Sequence, residues 1–407
     1  MLETAAASRS SRETCQTINW LLSPFEADDF IAGHWEKGPL HIKRHQPAYF
    51  KDFFALSDLD EIIGFAITNE NVRTARDGQS RFIKEAGAEK TSICRLYELY
   101  YEGNTVVFRN IHQRCPAIYR VGTAISRFFG CYISTHLYAT PIGQQGFGTH
   151  WDDHDIFALQ LEGEKEWLLY ENGPPLPRRS RGPREYRRQV LEGPAKVSHR
   201  MTLQAGDVLY FPRGVPHLVK CRPGTSSLHL TFGLYSETAT QVLKRAIVEH
   251  AKRNPDLDAP LPLGYLTSPG EDAIPGLETL KAALADSSLL KKALLGLFAD
   301  GVVGNRMAPC GHFEQLLHLN RVGLNTRLMA KFGPGNLVGD EGSLCIAAPG
   351  IRYAVEPGHR LAVRALVTLR NPRVADLAGD LSDADKVTLA RNLIRVGLCA
   401  SEPAGLV

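Results

Sequence analysis

The order of apolar and polar positions changes character along the 407 residues, and each change predicts a different kind of element. Residues 18–60 alternate short helical patterns with Trp35-Glu36-Lys37-Gly38-Pro39-Leu40-His41-Ile42, where Gly-Pro breaks the run before a short extended piece. Residues 58–65 predict an amphipathic helix capped by Ser57, with Leu59, Ile62 and Ile63 on its buried face. Residues 90–110 mix tyrosines, valines and a Gly-Asn turn, which fits strand-turn-strand or a helix leading into a strand. From 125 to 236 short runs of β-formers recur: 132–140, 156–161, 165–170 after a tight turn at Gly163-Glu164, 208–211 after Ala205-Gly206-Asp207, and 227–234. Short strands parted by glycine-bearing turns predict a closed β barrel, not a parallel α/β sheet.

After Ser236 the period becomes 3.6. Ala239, Val242, Leu243, Ala246 and Ile247 form one helical stripe, and residues 279–299 supply further alanine- and leucine-rich helices. Such helices could pack against the barrel or a second subunit. Residues 345–407 predict short strands around 363–368 and a helix over 383–396, which fits a helix-and-wing domain. Its helix offers only Lys386, Arg391 and Arg395 as basic positions, a thin footprint for reading nucleic acid, so a structural or substrate-shaping role is favoured. The expected organisation is an N-terminal extension packed on the barrel (1–124), a barrel core (125–236), a helical region (237–340) and a C-terminal winged-helix-like domain (341–407).

Composition narrows the class. Hydrophobic residues at 43%, charged residues at 22% and a net charge of +3 describe an ordinary globular chain and point to no partner. Eight cysteines without a CxxC pair argue against a zinc module or a disulfide framework. The first dozen residues are small and polar, expected to be frayed, and unlike a secretion signal. No window is long and apolar enough for a membrane span, so the expectation is a cytoplasmic protein without membrane contact.

The chemistry is concentrated in Gly148-Thr149-His150-Trp151-Asp152 and Gly214-Val215-Pro216-His217. Two imidazoles and a carboxylate are the ligand set of a non-haem Fe(II) oxygenase centre, and three ligands leave positions open for a co-substrate and dioxygen. On a strand, His150 and Asp152 would share a face. The bland alternative is a turn at HxD and a satisfied core histidine at 217. Zn(II) would accept the same ligands, although a structural zinc site usually closes its shell with four. His154 shares the parity of His150 and Asp152 and is an alternative ligand, while Asp153 and Asp155 suit supporting roles. Lys165 is either a solvated edge residue or, pointing inward, an anchor for a dicarboxylate whose other end chelates iron. Tyr138 could add a hydroxyl to that carboxylate. Thr231 and His229 could line the floor, or simply pack.

These segments resemble JmjC-type, cupin-fold 2-oxoglutarate oxygenases of the ribosomal-oxygenase branch. The resemblance rests on residues 35–40, Gln145-Gly146-Phe147-Gly148-Thr149-His150-Trp151-Asp152-Asp153, Leu159-Gln160-Leu161-Glu162-Gly163 and residues 206–214. It implies a mainly β catalytic core (a double-stranded β-helix), a helical dimerisation region and a winged-helix-like C-terminal domain. It further implies His150, Asp152 and His217 as catalytic iron ligands, with Lys165, Tyr138 and Thr231 contacting 2-oxoglutarate. His136 stands where related members can carry an amide. The implied reaction consumes 2-oxoglutarate and O2, releases succinate and CO2, and hydroxylates a side chain.

Residues 178–188 hold six arginines against one glutamate, which is either a solvated loop or a binding surface for an acidic peptide or an RNA-bearing assembly. The leading expectation is an Fe(II)/2-oxoglutarate dioxygenase acting on a protein or peptide, ribosomal or biosynthetic. The alternatives are a same-fold hydroxylase of tRNA or a small metabolite, or a non-catalytic metal-bearing module.

Overall fold

The computed structural model describes residues 9–66, 71–82, 93–177, 196–261, 263, 274–304, 312–333, 336–339, 343–348, 350–369 and 371–401. The arginine cluster at 178–188 lies outside the described residues. Two compact units divide the chain, one spanning Glu13–Ser236 and the other made of Glu237–Val407 with Met1–Arg12.

Among its described residues the first unit has ten strands: β1 (Leu40–Ile42), β2 (Val72–Arg76), β3 (Gln79–Phe82), β4 (Thr105–Arg109), β5 (Tyr132–Thr140), β6 (Asp155–Tyr170), β7 (Val197–Gln204), β8 (Val208–Phe211), β9 (His217–Lys220) and β10 (Ser227–Tyr235). The long path is β1-β8-β6-β10-β5-β4-β2-β3, and β7 and β9 pair with the far half of β6. Every pairing in it is antiparallel. Strand β6 therefore belongs to two sheets, its first half between β8 and β10 and its second between β7 and β9. A strand that changes sheets turns a barrel corner; the pairing of β6 with β10 slips by one residue at Leu161, and the strand bends two residues later.

That corner is Gly163. Its φ is +65°, and a Cβ there would sit 2.0 Å from the Ser226 carbonyl oxygen, so only glycine fits. The tight turn expected at Gly163-Glu164 is thus a bend inside one sixteen-residue strand. A glycine between two apolar runs reads as a turn in sequence, whereas here it bends a strand without ending it. The bulge also shifts the side-chain alternation by one. Ile156 and Ala158 before it, and Trp167 and Leu169 after it, share the small inner cluster with Leu209 and Phe211. Phe157, Leu159 and Leu161 face the opposite way, into the large core.

That large core is covered by helices α1 (Arg9–Leu22), α2 (Ala27–Gly33), α3 (Leu56–Ala66), α4 (Ile93–Tyr101) and α5 (Pro116–Phe129). Ile18, Phe30, Leu59, Leu96, Ile118 and Ile125 from these helices meet Leu137, Leu230 and Phe232 from the sheet. Pro116 opens α5 at its first turn, and Gly130, in the left-handed region, closes it. Residues 90–110 resolve as helix α4 leading into β4. Helix α3 begins at Leu56, so Ser57 lies inside it and is no cap; the Leu56 N–H instead donates to Glu162 Oε1 at 2.7 Å. Leu59 and Ile63 are buried as expected.

In the second unit the helix Ala239–Ala251 packs beside Ser287–Gly304, and Leu277–Ala285 joins them. Strands Leu337–Val338, Cys345–Ala348 and Ile351–Ala354 form one small antiparallel sheet, and Leu328–Ala330 pairs with Cys399–Ser401. The expected strands around 363–368 are a helix, Arg360–Thr368. Ala362, Val363 and Leu366 bury one helical stripe, and that packing overrides the strand preference of the two valines. The helix Asp383–Arg395 matches expectation, with Ser382 Oγ accepting from Asp385 N at 3.1 Å as its cap. Two of its basic side chains serve the unit itself: Lys386 donates to the Ala375 carbonyl, and Arg391 to those of Asn320 and Val322. Among the described residues no helix is long and apolar enough to cross a membrane.

Candidate metal centre and pocket

His150 is not on a regular strand, as the shared-face expectation required. It forms an isolated antiparallel bridge with His217 at the start of β9. Each backbone donates to the other: His150 N to His217 O at 3.1 Å and His217 N to His150 O at 2.7 Å. Gly214 N donates to the Asp152 carbonyl at 2.8 Å, so the two ligand-bearing segments are stitched together on both sides. Gly214 has φ +86° and passes so close to the Pro174 carbonyl that a Cβ would fall 2.0 Å from it.

This stitching brings together three donor atoms from segments 65 residues apart. His150 Nε2 and His217 Nε2 each lie 3.8 Å from Asp152 Oδ2, and the three donor atoms fall within 4.8 Å of one another. Both rings turn their Nδ1 to a backbone carbonyl, His150 to Gly148 at 2.9 Å and His217 to Val215 at 3.1 Å. A carbonyl only accepts, so each Nδ1 carries the proton and each Nε2 presents its lone pair toward Asp152. Burial, reinforced by the neighbouring His150, pushes the His217 imidazolium down to about 3, which keeps the ring neutral. Two oriented imidazoles and one carboxylate fit a divalent first-row ion, with no fourth ligand in the cluster among the described residues.

The donors open onto a cavity of about 360 Å³. Its inner wall is made by alternate residues of two barrel strands: His136, Tyr138 and Thr140 share one face of β5, and His229 and Thr231 one face of β10. Lys165 enters from β6, directed inward by the Gly163 bulge, and is 3% exposed. Its Nζ donates to Thr140 Oγ1 at 2.8 Å and lies 3.4 Å from His229 Nδ1. Burial pulls the ammonium down to about 8. No carboxylate among the described residues pairs with it. Tyr138 stacks on His229 with ring centroids 4.5 Å apart, and burial pushes its phenol up to about 12. Thr231 Oγ1 donates to the His136 carbonyl at 3.4 Å.

A buried network supports the segment between Asp152 and β8. The Tyr210 hydroxyl donates to Asp155 Oδ1 at 2.9 Å and accepts from Glu36 N at 2.8 Å, while Glu36 pairs with Arg213 at 2.7 Å. Trp35 stacks on Tyr210, which ties residues 35–36 to the same network.

His150, Asp152, His217, Lys165, Tyr138 and Thr231 all line this one cavity. His154 lines it too, but its Nδ1 is occupied by Asp153 at 3.2 Å, its ring lies against Tyr235, and it stands outside the donor cluster. Asp155 is buried with Tyr210, away from solvent. Sequence reasoning missed Arg73, Phe147 and Trp167 as lining residues, and Thr140 as the partner of Lys165. Thr140 was within reach, because it shares the parity of His136 and Tyr138. Arg73 was not: it sits on β2, far back in the chain, and nothing local marks it.

Residues 110–242 match the JmjC domain family. The bifunctional lysine-specific demethylase and histidyl-hydroxylase NO66 of Drosophila mojavensis is 32% identical over 260 residues, covering 59% of this chain and 28% of the relative. Ribosomal oxygenase 2 of Bos taurus is 27% identical over 314 residues, covering 74% of this chain and 63% of the relative. The chain thus spans less than two thirds of either relative's length. The Escherichia coli ribosomal oxygenase YcfD, solved with cobalt and 2-oxoglutarate, superimposes with a TM-score of 0.54 at 15% identity, over 93% of this chain and 99% of that one. At that identity the likeness is one of fold. Residues 110–242 thus carry a JmjC domain, and the core around them has the cupin fold.

Proposed function

We propose that this chain is an Fe(II)/2-oxoglutarate-dependent dioxygenase that hydroxylates a side chain of a protein or peptide. One observation carries the reading: an inward ammonium with no carboxylate partner among the described residues stands in the same cavity as three convergent metal donors. The resident ion fits because both imidazoles are already oriented by their backbone partners. Bound there by His150, Asp152 and His217, Fe(II) would supply with 2-oxoglutarate and O2 the oxidation of a C–H bond, with succinate and CO2 released.

The chain's own residues bind and orient. Lys165, steadied by Thr140, takes the distal carboxylate of 2-oxoglutarate, and Tyr138 and Thr231 complete that end of the cavity. Phe147 and Trp167 supply apolar walls that keep water from the reacting carbon. The relatives' names support a protein target, since one is a histidyl-hydroxylase and another a ribosomal oxygenase.

The proposal extends to a homodimer formed through the second unit, to an acidic or RNA-bearing partner met by residues 178–188, and to a cytoplasmic setting. The free thiols of Cys94, Cys115, Cys221, Cys345 and Cys399 support the last.

Replacing Lys165 tests the assignment. Lys165→Ala should raise the 2-oxoglutarate Kd at least tenfold, in line with the roughly 1.5–3 kcal/mol of a hydrogen bond to a charged group. Fe(II) affinity should stay within about threefold, read by anaerobic titration of each ligand. An unchanged 2-oxoglutarate affinity overturns the reading of Lys165.

A further inference from the structure

The cavity holds a second cation that the chemistry above does not use. Arg73, on β2, lines it beside His136. Its guanidinium lies 4.6 Å over the Phe147 ring, and its Nε is buried with no hydrogen-bond partner. No carboxylate among the described residues forms an ion pair with it. Among the described residues, His136 Nδ1 on β5 and Trp167 Nε1 on β6 are also buried without hydrogen-bond partners. Burial, with Arg73, His154 and Arg109 nearby, pushes the His136 imidazolium down to about 3, so that ring adds no charge. The Arg73 end of the cavity therefore offers a fixed positive charge that, among the described residues, meets the Phe147 face and the more distant field of Asp152 but no carboxylate in contact. Buried donors and cations are ordinarily answered, and a ligand is the usual answer when the protein supplies none.

Charge accounting identifies that ligand. A divalent ion, Lys165 and Arg73 bring four positive charges; Asp152 and the dianion 2-oxoglutarate return three. One positive charge is left, on the forked guanidinium whose geometry matches a carboxylate. We propose that Arg73 receives the side-chain carboxylate of the residue to be oxidised, so that the target is an aspartyl or glutamyl side chain in a peptide. This rests on the oxygenase reading and narrows it, and it departs from the histidine target in the name of the NO66 relatives.

The test uses the full chain in two arms. In the first, the protein is loaded with Zn(II) and saturated with 2-oxoglutarate, and saturation-transfer NMR follows binding of the N-acetyl amides of aspartate, glutamate, asparagine and histidine. Signals are expected for the two acids and not for asparagine or histidine. Arg73→Gln should lower the acid signals at least fivefold and leave the 2-oxoglutarate signal unchanged, and Arg73→Lys should keep part of them. In the second arm, the Fe(II) protein turns over a peptide library, and mass spectrometry locates the added oxygen, expected on aspartate or glutamate. Equal binding of aspartyl and asparaginyl probes overturns the proposal, as does oxygen placed only on histidine or arginine. Loss of 2-oxoglutarate binding in Arg73→Gln overturns it too, by giving Arg73 to the co-substrate. Failure of the wild-type chain to bind 2-oxoglutarate at all sinks the oxygenase reading instead, while the acid probes still decide on Arg73.

Discussion

At the scale of single residues, the cavity differs from an ordinary barrel interior in where its polar groups stand. His136, Tyr138, Thr140, Lys165, His229 and Thr231 occupy inward positions that packing alone would fill with valine or leucine. Asp155 is the structural counterpart, buried to support the segment that carries Asp152 and not to face a ligand. Burial raises its carboxyl from 3.8 to about 6, with the Tyr210 hydroxyl opposing the shift. The folded state thus holds this proton more tightly than the unfolded chain does. Its stabilisation is complete below about pH 4 and is lost as pH rises through 6, a difference of about 3 kcal/mol at most. Asp155→Asn keeps an acceptor for Tyr210 and removes the ionisation. Urea unfolding between pH 4 and 7 should therefore show a flatter stability profile for the variant, and equal slopes would refute the assignment. The metal donors were legible in the sequence because HxD and a distant Gly-Val-Pro-His are chemically unusual. The direction of Lys165 was not, since it depends on a bulge that no local pattern announces.

At the scale of elements, β6 explains both what pattern reading recovered and what it missed. Strand β5 is recovered over its full length, because its face alternation is regular from Tyr132 to Thr140. Strand β6 was split in two because Gly163 sits between apolar runs, and the helix Arg360–Thr368 was taken for strands because valines prefer them. In both cases a tertiary contact outweighed a local preference: the Ser226 carbonyl against Gly163, and a buried stripe for the helix. Gly163→Ala tests the bulge. A Cβ there must displace the backbone of Ser226, and it must adopt a φ that costs about 1–3 kcal/mol. The variant should unfold at a lower temperature, with Tm reduced by several degrees. If a folded population survives, it should lose 2-oxoglutarate affinity more than metal affinity, because Lys165 lies two residues past the bend and the donors lie outside β6. A stable variant with both affinities intact would show that the alternation does not hang on this glycine.

At the scale of the molecule, the helical stripe expected after Ser236 forms but is only partly buried. Ala246 is fully covered, whereas Leu243 is 43% exposed, Ile247 37% and Val248 55%, all on the helix Ala239–Ala251. Within the unit, the opposite side of that helix is secured by Arg245, which pairs with Asp300 on the helix Ser287–Gly304. An apolar face left open beside an anchored one suits a self-association surface, since a two-fold contact reuses one patch on both copies. The homodimer proposal is decided by mass. Light scattering after size exclusion should give twice the 45.0 kDa chain mass at micromolar concentration. Leu243→Glu with Ile247→Glu should return the monomer, because two buried charges facing their symmetry copies cost far more than the apolar contact gains. The first unit contains every lining residue of the cavity, so the monomeric variant should keep its metal and 2-oxoglutarate affinities. A wild-type chain that runs as a monomer across that range ends the proposal, and a variant that stays dimeric moves the interface to another face.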